Sequence, residues 1–470
     1  MSIVAFIISF VLLIITFINI RKKGNKSFNP MILFFGLWCF ILFLSMLQLY
    51  NIQKPSNEAY FLIILMLVFF FLGSITNLEK VKLKILGVFK KTNKTNVEEI
   101  EVSNGNGVNI TKVGKWIFYC LSILLIIFTL IDCVIVVKGL IDGIPMWQIR
   151  RWGMEVAGST NNPLMARRTF LEESFRSIIL TPFATLIPPI AAYMLFNSDS
   201  KKEKVKFLMI SIIVLLLSSI AGGGGRLGFI YYFGCFLLAF LIAIKKNKIS
   251  DEFKKKYRRI VFAIFVIGVT IVAVYTVFRT SNFFKQIYTY FALPPTLLSI
   301  WLPEIKEVEH TYGLVSFFGL HSYFFRVLDT IGLDFLVPNI YNISYNHILN
   351  AEIFKNTGYG VGNAFVTPIY YFMIDGGYIF VCIASYLFGF IVSALYNKFE
   401  KNINMKSYII YALIMYGIFL TFIRIQTCIP SYIISFILVY FIFNTKANNF
   451  IIKKYKQIIG EKHTKGKEIK

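Results

Sequence analysis

The sequence is poor in acidic residues. Its 470 residues include 24 Asp and Glu against 49 Lys and Arg, and 57% of the chain is hydrophobic. Water-soluble domains of this size rarely combine these properties, so a soluble globular fold is disfavoured. The basic residues stand in short clusters between apolar runs. This pattern argues against a nucleic-acid partner and makes the charge a signal of membrane topology.

Metal-binding and soluble-enzyme motifs are missing as well. The six cysteines lie within or at the ends of apolar runs and none has CxxC spacing, so zinc sites and disulfides are not expected. The sequence has no GxxxxGK[ST], HExxH or GxSxG motif, which disfavours an ATP-driven pump or a zinc protease. We therefore expect neither a metal site nor a cofactor.

Apolar runs long enough to cross a bilayer are abundant. They predict an all-α polytopic membrane protein, with residues 1–470 forming one integral membrane domain of about eleven transmembrane helices. The first run lacks a preceding basic region and a small-residue cleavage site, so it is predicted to stay in the chain. The predicted spans are 2–20, 30–50, 59–77, 115–137, 176–196, 205–221, 227–244, 259–278, 374–396, 407–425 and 429–444.

Basic connectors set the predicted orientation of these spans. Six alternating connectors hold about 35 of the 49 basic residues, and the positive-inside rule places them in the cytoplasm. The amino terminus is then outside, and residues 445–470 form a basic cytoplasmic tail. Residues 279–375 become a large extracytoplasmic loop. Its aromatic segments predict short amphipathic helices that rest on the outer leaflet or cap the bundle.

Arginine is distributed against the positive-inside rule. Nine of the twelve arginines are predicted to face outward, whereas the cytoplasmic side is nearly all lysine. A guanidinium group offers paired donors that match phosphate oxygens, so a phosphate-bearing ligand would account for this placement. The nine are Arg150, Arg151, Arg167, Arg168, Arg176, Arg226, Arg279, Arg326 and Arg424.

Arg226 follows four glycines at 222–225, between two apolar runs. Such a turn exposes backbone N–H groups before a helix amino terminus and predicts an anion site. The alternative is a tight hairpin whose arginine reaches lipid headgroups. The same two interpretations apply to Arg279 and Arg424 at the outer ends of spans. Two further arginines are candidates for binding substrate. Arg326 lies in the large predicted outer loop, and Arg168 belongs to the arginine pairs of an earlier outer loop, which form a charged collar.

Asp375 and His321 are the candidate bases. Asp375 lies at a predicted membrane edge before two glycines, where an unpaired acid is costly. It is therefore either a functional group or an ion-pair anchor for an outer arginine. His321 lies in the predicted outer loop, where a histidine is either a base or a surface or packing residue.

Three stretches match the pattern of a known family. They are SSIAGGGGRLGFI at 218–230, HTYGLVSFFGL at 310–320 and the stretch 358–399. In this last stretch an Asn is followed by aromatic and Thr positions, an acidic-Gly pair and a Gly-bearing helix. The chain thereby resembles the Wzy-type oligosaccharide repeat unit polymerases, relatives of the O-antigen ligases. The family's usual aromatic residue after the acid is Gly376 here. The matching residues are Asn363, Phe365, Thr367, Tyr371, Asp375, Gly376 and Gly389.

The resemblance implies a metal-independent glycosyltransferase of the bacterial inner membrane. It would join polyprenyl-pyrophosphate-linked oligosaccharide repeat units into a surface polysaccharide, such as a capsule or O antigen, on the outer face. Arg226, Arg279 and Arg424 would bind the pyrophosphate and Asp375 or His321 would act as base, with Arg326, Arg168 and Asn363 as further contacts to substrate. Expected partners are this lipid-linked glycan, membrane lipids, a chain-length regulator and a flippase, but no nucleic acid.

Three alternatives stay open. An O-antigen-type ligase, which transfers finished glycan to another acceptor, would use the same donor chemistry and the same arginines. A flippase for lipid-linked oligosaccharide would need charged groups along a path through the bundle, whereas Asp132 is the main ionisable residue within the predicted spans. A sensor or scaffold would leave the outward arginines unexplained.

Overall fold

The computed structural model describes most of the chain between residues 1 and 443. The predicted span 259–278, apart from residues 266 and 270, and the predicted tail 445–470 lie outside the described residues. Arg226 and Arg279 lie outside them too. The described residues are 1–22, 28–76, 112–145, 148–149, 168–198, 200–222, 227–245, 266, 270, 283–358 and 360–443.

Helices dominate this part of the chain. Nine of them are long and apolar enough to cross a membrane, and a tenth apolar helix is shorter, which confirms an all-α multi-pass membrane protein. The bundle consists of α1 (Ser2–Lys22), α2 (Pro30–Leu47), α3 (Asn57–Ile75), α4 (Lys112–Ile141), α5 (Phe170–Phe175) continued by a π-helical turn (Arg176–Leu180) into α6 (Thr181–Asn197), α7 (Lys201–Ala221), α8 (Leu227–Lys245), and then α12 (Thr367–Lys401), α13 (Met405–Phe419) and α14 (Pro430–Phe443).

The segment before α12 forms a cap, defined here as residues 283–366. It contains α9 (Phe283–Lys306), α10 (Phe318–Thr330), α11 (Asn339–Asn350) and a short antiparallel hairpin of β1 (Lys355–Asn356) and β2 (Val361–Gly362).

The cap packs on one end of the bundle, called the capped end. The Tyr288 hydroxyl donates to the Leu44 carbonyl (2.9 Å) and accepts from the Leu49 amide (2.8 Å). The Thr296 hydroxyl donates to the Gln53 carbonyl (2.9 Å). These bonds join α9 to the last turn of α2 and to the segment that links α2 and α3. The bonds to Leu44 and Leu49 satisfy backbone groups near the end of α2, where helical partners are missing.

The opposite end of the bundle is rich in lysine. α1 ends in Arg21 and Lys22, and α8 ends in Lys245, which pairs with Glu400 near the end of α12. Cations in the last turn of a helix also interact favourably with the helix dipole.

α12 begins at Thr367, within the segment predicted as the outer loop. Pro368 in its first turn suits a helix start because proline lacks the N–H that would be unpaired there. The first nine residues are all buried, and the helix is then interrupted at Gly376 and Gly377, where Gly377 adopts φ 63°. Hydropathy missed this start because tyrosines and an aspartate, buried by the cap rather than by lipid, lower the apolar content.

α3 and α12 pack with their backbones in direct contact. A Cβ on Gly389 would overlap the Phe70 carbonyl oxygen, and one on Gly73 would overlap the Tyr386 carbonyl oxygen. The Phe70 ring also stacks on Phe34 with 3.8 Å between centroids. Glycines at such positions let two membrane helices bring their backbones into contact. The resemblance marked Gly389, and this contact gives the physical reason for a glycine there.

Candidate functional site

An arginine and a glutamate meet where the cap joins the bundle. Arg424 lies between α13 and α14, and Glu352 follows α11. Arg424 Nη2 donates to Glu352 Oε1. The two side chains are 15% and 34% exposed, so the pair is shielded but reachable from solvent. Among the residues that the structure describes, no other hydrogen bond joins either side chain. Further guanidinium N–H groups and the second carboxylate oxygen are thus available to a ligand.

The backbone around this pair is fixed by three hydrogen bonds. The Asn363 side-chain amide donates to the Glu352 carbonyl (3.0 Å), and the Ala364 amide donates to the Ala351 carbonyl (2.9 Å). The Thr367 amide donates to the Ile423 carbonyl (3.0 Å), which joins the start of α12 to the residue before Arg424. The resemblance singled out Asn363 and Thr367, and the structure places both beside the pair.

Backbone strain coincides with this junction. Ala364 and Thr367 adopt φ angles of 64° and 65°, in the left-handed region that side chains with a Cβ disfavour. Each such residue costs about 1–3 kcal/mol and persists only where surrounding contacts hold it. Here the hydrogen bonds to residues 351 and 423 hold both, so the junction is rigid.

Aromatic rings lie next to the junction. Phe365 contacts Tyr290 at 5.4 Å and Phe422 at 5.8 Å between ring centroids, and Phe422 contacts Phe291 at 5.2 Å. Aromatic faces suit both sugar rings and isoprenoid chains, since they offer a large apolar surface. The junction therefore combines charge, carboxylate oxygens and apolar surface in one place.

Asp375 anchors the cap to the break in α12. Its side chain is fully buried. Oδ1 accepts hydrogen bonds from the Thr311 hydroxyl (2.6 Å) and the Val315 amide (3.0 Å), and Oδ2 accepts one from the Ser316 amide (2.9 Å). The sequence left open a functional acid or an ion-pair anchor for an arginine. The geometry favours an anchor, but one that holds backbone N–H groups instead of a guanidinium.

His347, on α11, lies near the carboxylate of Asp375. Burial lowers the pKa of His347 below its ordinary value, against the opposing effect of the Asp375 charge. The imidazole is therefore neutral at neutral pH. The hydrogen bonds from residues 311–316 are then what stabilises the buried carboxylate.

Replacing Asp375 by Asn tests its role as an anchor. The amide keeps the shape but loses the charge and aims a donor at the N–H groups, so we expect the free energy of unfolding to fall by about 3 kcal/mol. Thermal melting of the detergent-solubilised protein would measure this, with the exposed Asp334→Asn as matched control. Unchanged melting together with lost activity would instead identify Asp375 as a base.

His321 has the contacts of a packing residue. Its Nε2 donates to the Leu314 carbonyl (2.9 Å), and its ring lies 5.4 Å from Phe318 and 5.7 Å from Phe325 between centroids. Its Nδ1 is buried and has no hydrogen-bond partner among the described residues. The histidine helps to hold the turn before α10 against the rest of the cap. This arrangement fits the packing interpretation better than that of a base.

Arg168 belongs to a buried ionic network at the capped end. Asp132 Oδ2 accepts hydrogen bonds from Arg168 Nη2 (2.9 Å) and Arg176 Nη1 (2.6 Å). Arg168 also pairs with Glu173 (2.8 Å), and Arg176 pairs with Glu172 (2.7 Å). Three carboxylates thus neutralise two guanidinium groups. These contacts fit a role in joining α4 to α5 and α6 better than substrate binding.

The remaining predicted site residues are placed as follows. Arg326 is exposed on α10, in the cap. One turn earlier the Tyr323 hydroxyl donates to the Ser177 carbonyl (2.8 Å), and burial raises the pKa of Tyr323 to about 12.

Arg226 and Arg279 fall outside the described part, so they stay predictions. No group of three His, Cys, Asp or Glu side chains that could hold a metal occurs within the described ranges.

Sequence reasoning did not single out Glu352. It is an isolated acid in a loop, with no motif around it. Arg424, its partner, is 72 residues away in the chain. An outward arginine that needs a counter-charge is the one signal that points to such an acid, and it does not say which acid.

Comparisons with known proteins give no match: no family model fits the chain, and no curated protein or solved structure is significantly similar to it. The resemblance to the repeat unit polymerases therefore rests on the three sequence stretches and on the residues within them.

Proposed function

We propose that this protein is a polymerase that joins polyprenyl-pyrophosphate-linked oligosaccharide repeat units into a surface polysaccharide. The reaction would occur on the outer face of the bacterial inner membrane, with the cap outside. The observation that carries the proposal is the partly exposed Arg424–Glu352 pair at the junction of a polar cap and an apolar bundle. A lipid-linked glycan needs an apolar surface for its isoprenoid tail, a cation for its pyrophosphate and a polar surface for its sugars. The bundle, Arg424 and the cap would provide these three surroundings together.

The chemistry needs little from the protein. An acceptor hydroxyl oxygen bonds to the anomeric carbon of the growing glycan, while the bond from that carbon to the pyrophosphate oxygen breaks. Polyprenyl pyrophosphate leaves with the electron pair, and the hydroxyl proton passes to a base. Arginine stabilises the charge that develops on the leaving group, and the rigid junction positions the reactants.

The proposed orientation follows from the lysine-rich end. Arg21, Lys22 and Lys245 end their helices there, and Lys398 and Lys401 lie in the last turn of α12. The positive-inside rule favours the cytoplasm for that end, which puts the cap and Arg424 outside.

Buried charge within the described spans favours an enzyme over a flippase. Asp132, Arg176 and Asp375 are the buried acidic and basic side chains there, and all three lie near the capped end in hydrogen-bonded networks. A flippase would place such groups along a path across the bilayer. A ligase remains the second candidate, since it would share the donor and the junction.

The length of lipid-linked glycan in the host tests the proposal. Deletion of the gene should leave single repeat units on the carrier at the outer leaflet. Long chains still attached to the carrier would mean a ligase. Single units trapped on the inner leaflet would mean a flippase. Complementation with the wild-type gene should restore the normal distribution of lengths.

Arg226→Ala tests the anion site predicted from the glycine-arginine turn. Loss of a guanidinium that stabilises pyrophosphate should lower polymerisation by roughly 10²-fold or more while the amount in the membrane stays unchanged. Arg226→Lys should rescue poorly, because an ammonium cannot donate the paired bonds. Glycan length on gels is the readout, and normal chain length in the alanine variant would reject the site.

A further inference from the structure

We propose that Glu352 is the general base that takes the proton from the acceptor hydroxyl. The inference rests on the proposed polymerase function and assigns one residue to its chemical step. Arg424 Nη2 holds one carboxylate oxygen, Oε1. The other oxygen, Oε2, accepts no hydrogen bond from the described residues, and the side chain is 34% exposed. A base needs such a free, reachable oxygen.

The loop that carries Glu352 is held on both sides. Asn363 binds the Glu352 carbonyl, and Ala364 binds the preceding carbonyl. After Glu352 the β1–β2 hairpin is docked on the bundle by the Gln53 amide, which donates to the Thr357 carbonyl (2.8 Å). The Lys355 ammonium also lies 4.0 Å from the centre of the Trp301 ring. The carboxylate is thus positioned before substrate arrives, as a catalytic group requires.

Neither base predicted from the sequence offers an equivalent oxygen or nitrogen. Asp375 is fully buried, with both oxygens engaged. His321 uses Nε2 on a carbonyl, and its Nδ1 is buried. Glu352 combines exposure with contact to an outward arginine.

Pairing with Arg424 gives a reason for the two residues to act together. One guanidinium N–H orients the carboxylate. The guanidinium also carries further N–H groups, which in this proposal bind the leaving pyrophosphate. In the step, the acceptor O–H bond breaks, its proton moves to Oε2 of Glu352, and the new glycosidic bond forms as polyprenyl pyrophosphate departs.

The test uses the full-length protein in liposomes with a lipid-linked repeat unit as substrate. Glu352→Gln keeps the shape of the side chain and removes the base. We expect kcat to fall by roughly 10²- to 10³-fold with little change in KM for the substrate. The matched control is Glu307→Gln, an exposed acid of the same cap, which should keep near wild-type turnover.

A second variant separates chemistry from packing. Glu352→Ala should regain part of its rate when formate is added, because a small carboxylate can occupy the vacated space and accept the proton. Melting temperatures of both variants within a few degrees of wild type would show that the fold is intact. Wild-type turnover in Glu352→Gln, or the absence of formate rescue together with a raised KM, would overturn the assignment. If the wild-type protein itself does not elongate glycan, the proposed function fails instead.

Discussion

Gly389→Leu should prevent α3 and α12 from packing and should strongly destabilise the protein. Even a Cβ at this position would overlap the Phe70 carbonyl oxygen and come within 3.0 Å of Phe70 Cα. Backbone atoms cannot rotate away as a side chain can, so the helices must separate. Overpacking of this kind costs about 1–3 kcal/mol for small insertions, and the larger leucine should exceed this range. We expect little folded protein in the membrane fraction.

Melting of a fluorescently tagged protein in detergent would measure the effect. Gly389→Ala should already lower the melting temperature, and Gly389→Leu should lower it further. Gly36→Ala is the matched control, because a Cβ on this helical glycine of α2 would meet no atom of the described residues within 4 Å. The control should be neutral or slightly stabilising, since alanine favours helix by about 1 kcal/mol over glycine. Equal melting of all variants would contradict the close crossing.

Arg424→Ala should nearly abolish polymerisation. The change removes the guanidinium proposed to stabilise the leaving pyrophosphate and leaves Glu352 without its ion-pair partner. Loss of one preorganised donor to developing charge typically lowers kcat by about 10²- to 10³-fold. Arg424→Lys should recover only part of the rate, because one ammonium cannot serve Glu352 and phosphate with fixed paired donors. Rate measurements on reconstituted protein with lipid-linked repeat units would show both effects.

Two further variants serve as controls for this prediction. Lys54→Ala removes an exposed cation from the capped end without touching the junction, so it should keep wild-type activity. The double variant Arg424→Ala with Glu352→Gln should lose less than the product of the two single losses, since residues in contact act as a unit. Full activity of Arg424→Ala would remove this arginine from the site. Strict multiplication of the two losses would mean that the pair does not cooperate.

Two of the residues singled out by the family resemblance lie close together in the fold, at the Arg424–Glu352 pair. Asn363, Thr367 and Tyr371 match the family pattern, and the structure places the first two beside the Arg424–Glu352 pair. The departure at Gly376 coincides with the break in α12, where Gly377 takes a positive φ. Gly377 adopts this φ without the strain that a Cβ would cause, so the helix can open there and residues 311–316 can reach Asp375.

The sequence by itself determined the membrane class of this protein and the approximate bounds of most helices. Apolar length and basic flanks are local properties, and a bilayer imposes them on each span separately. Tertiary structure decided which charged residues meet. Asp375 binds groups about 60 residues away, Arg168 binds Asp132, and Arg424 binds Glu352. No local pattern encodes these partners, because the way the cap folds onto the bundle brings them together.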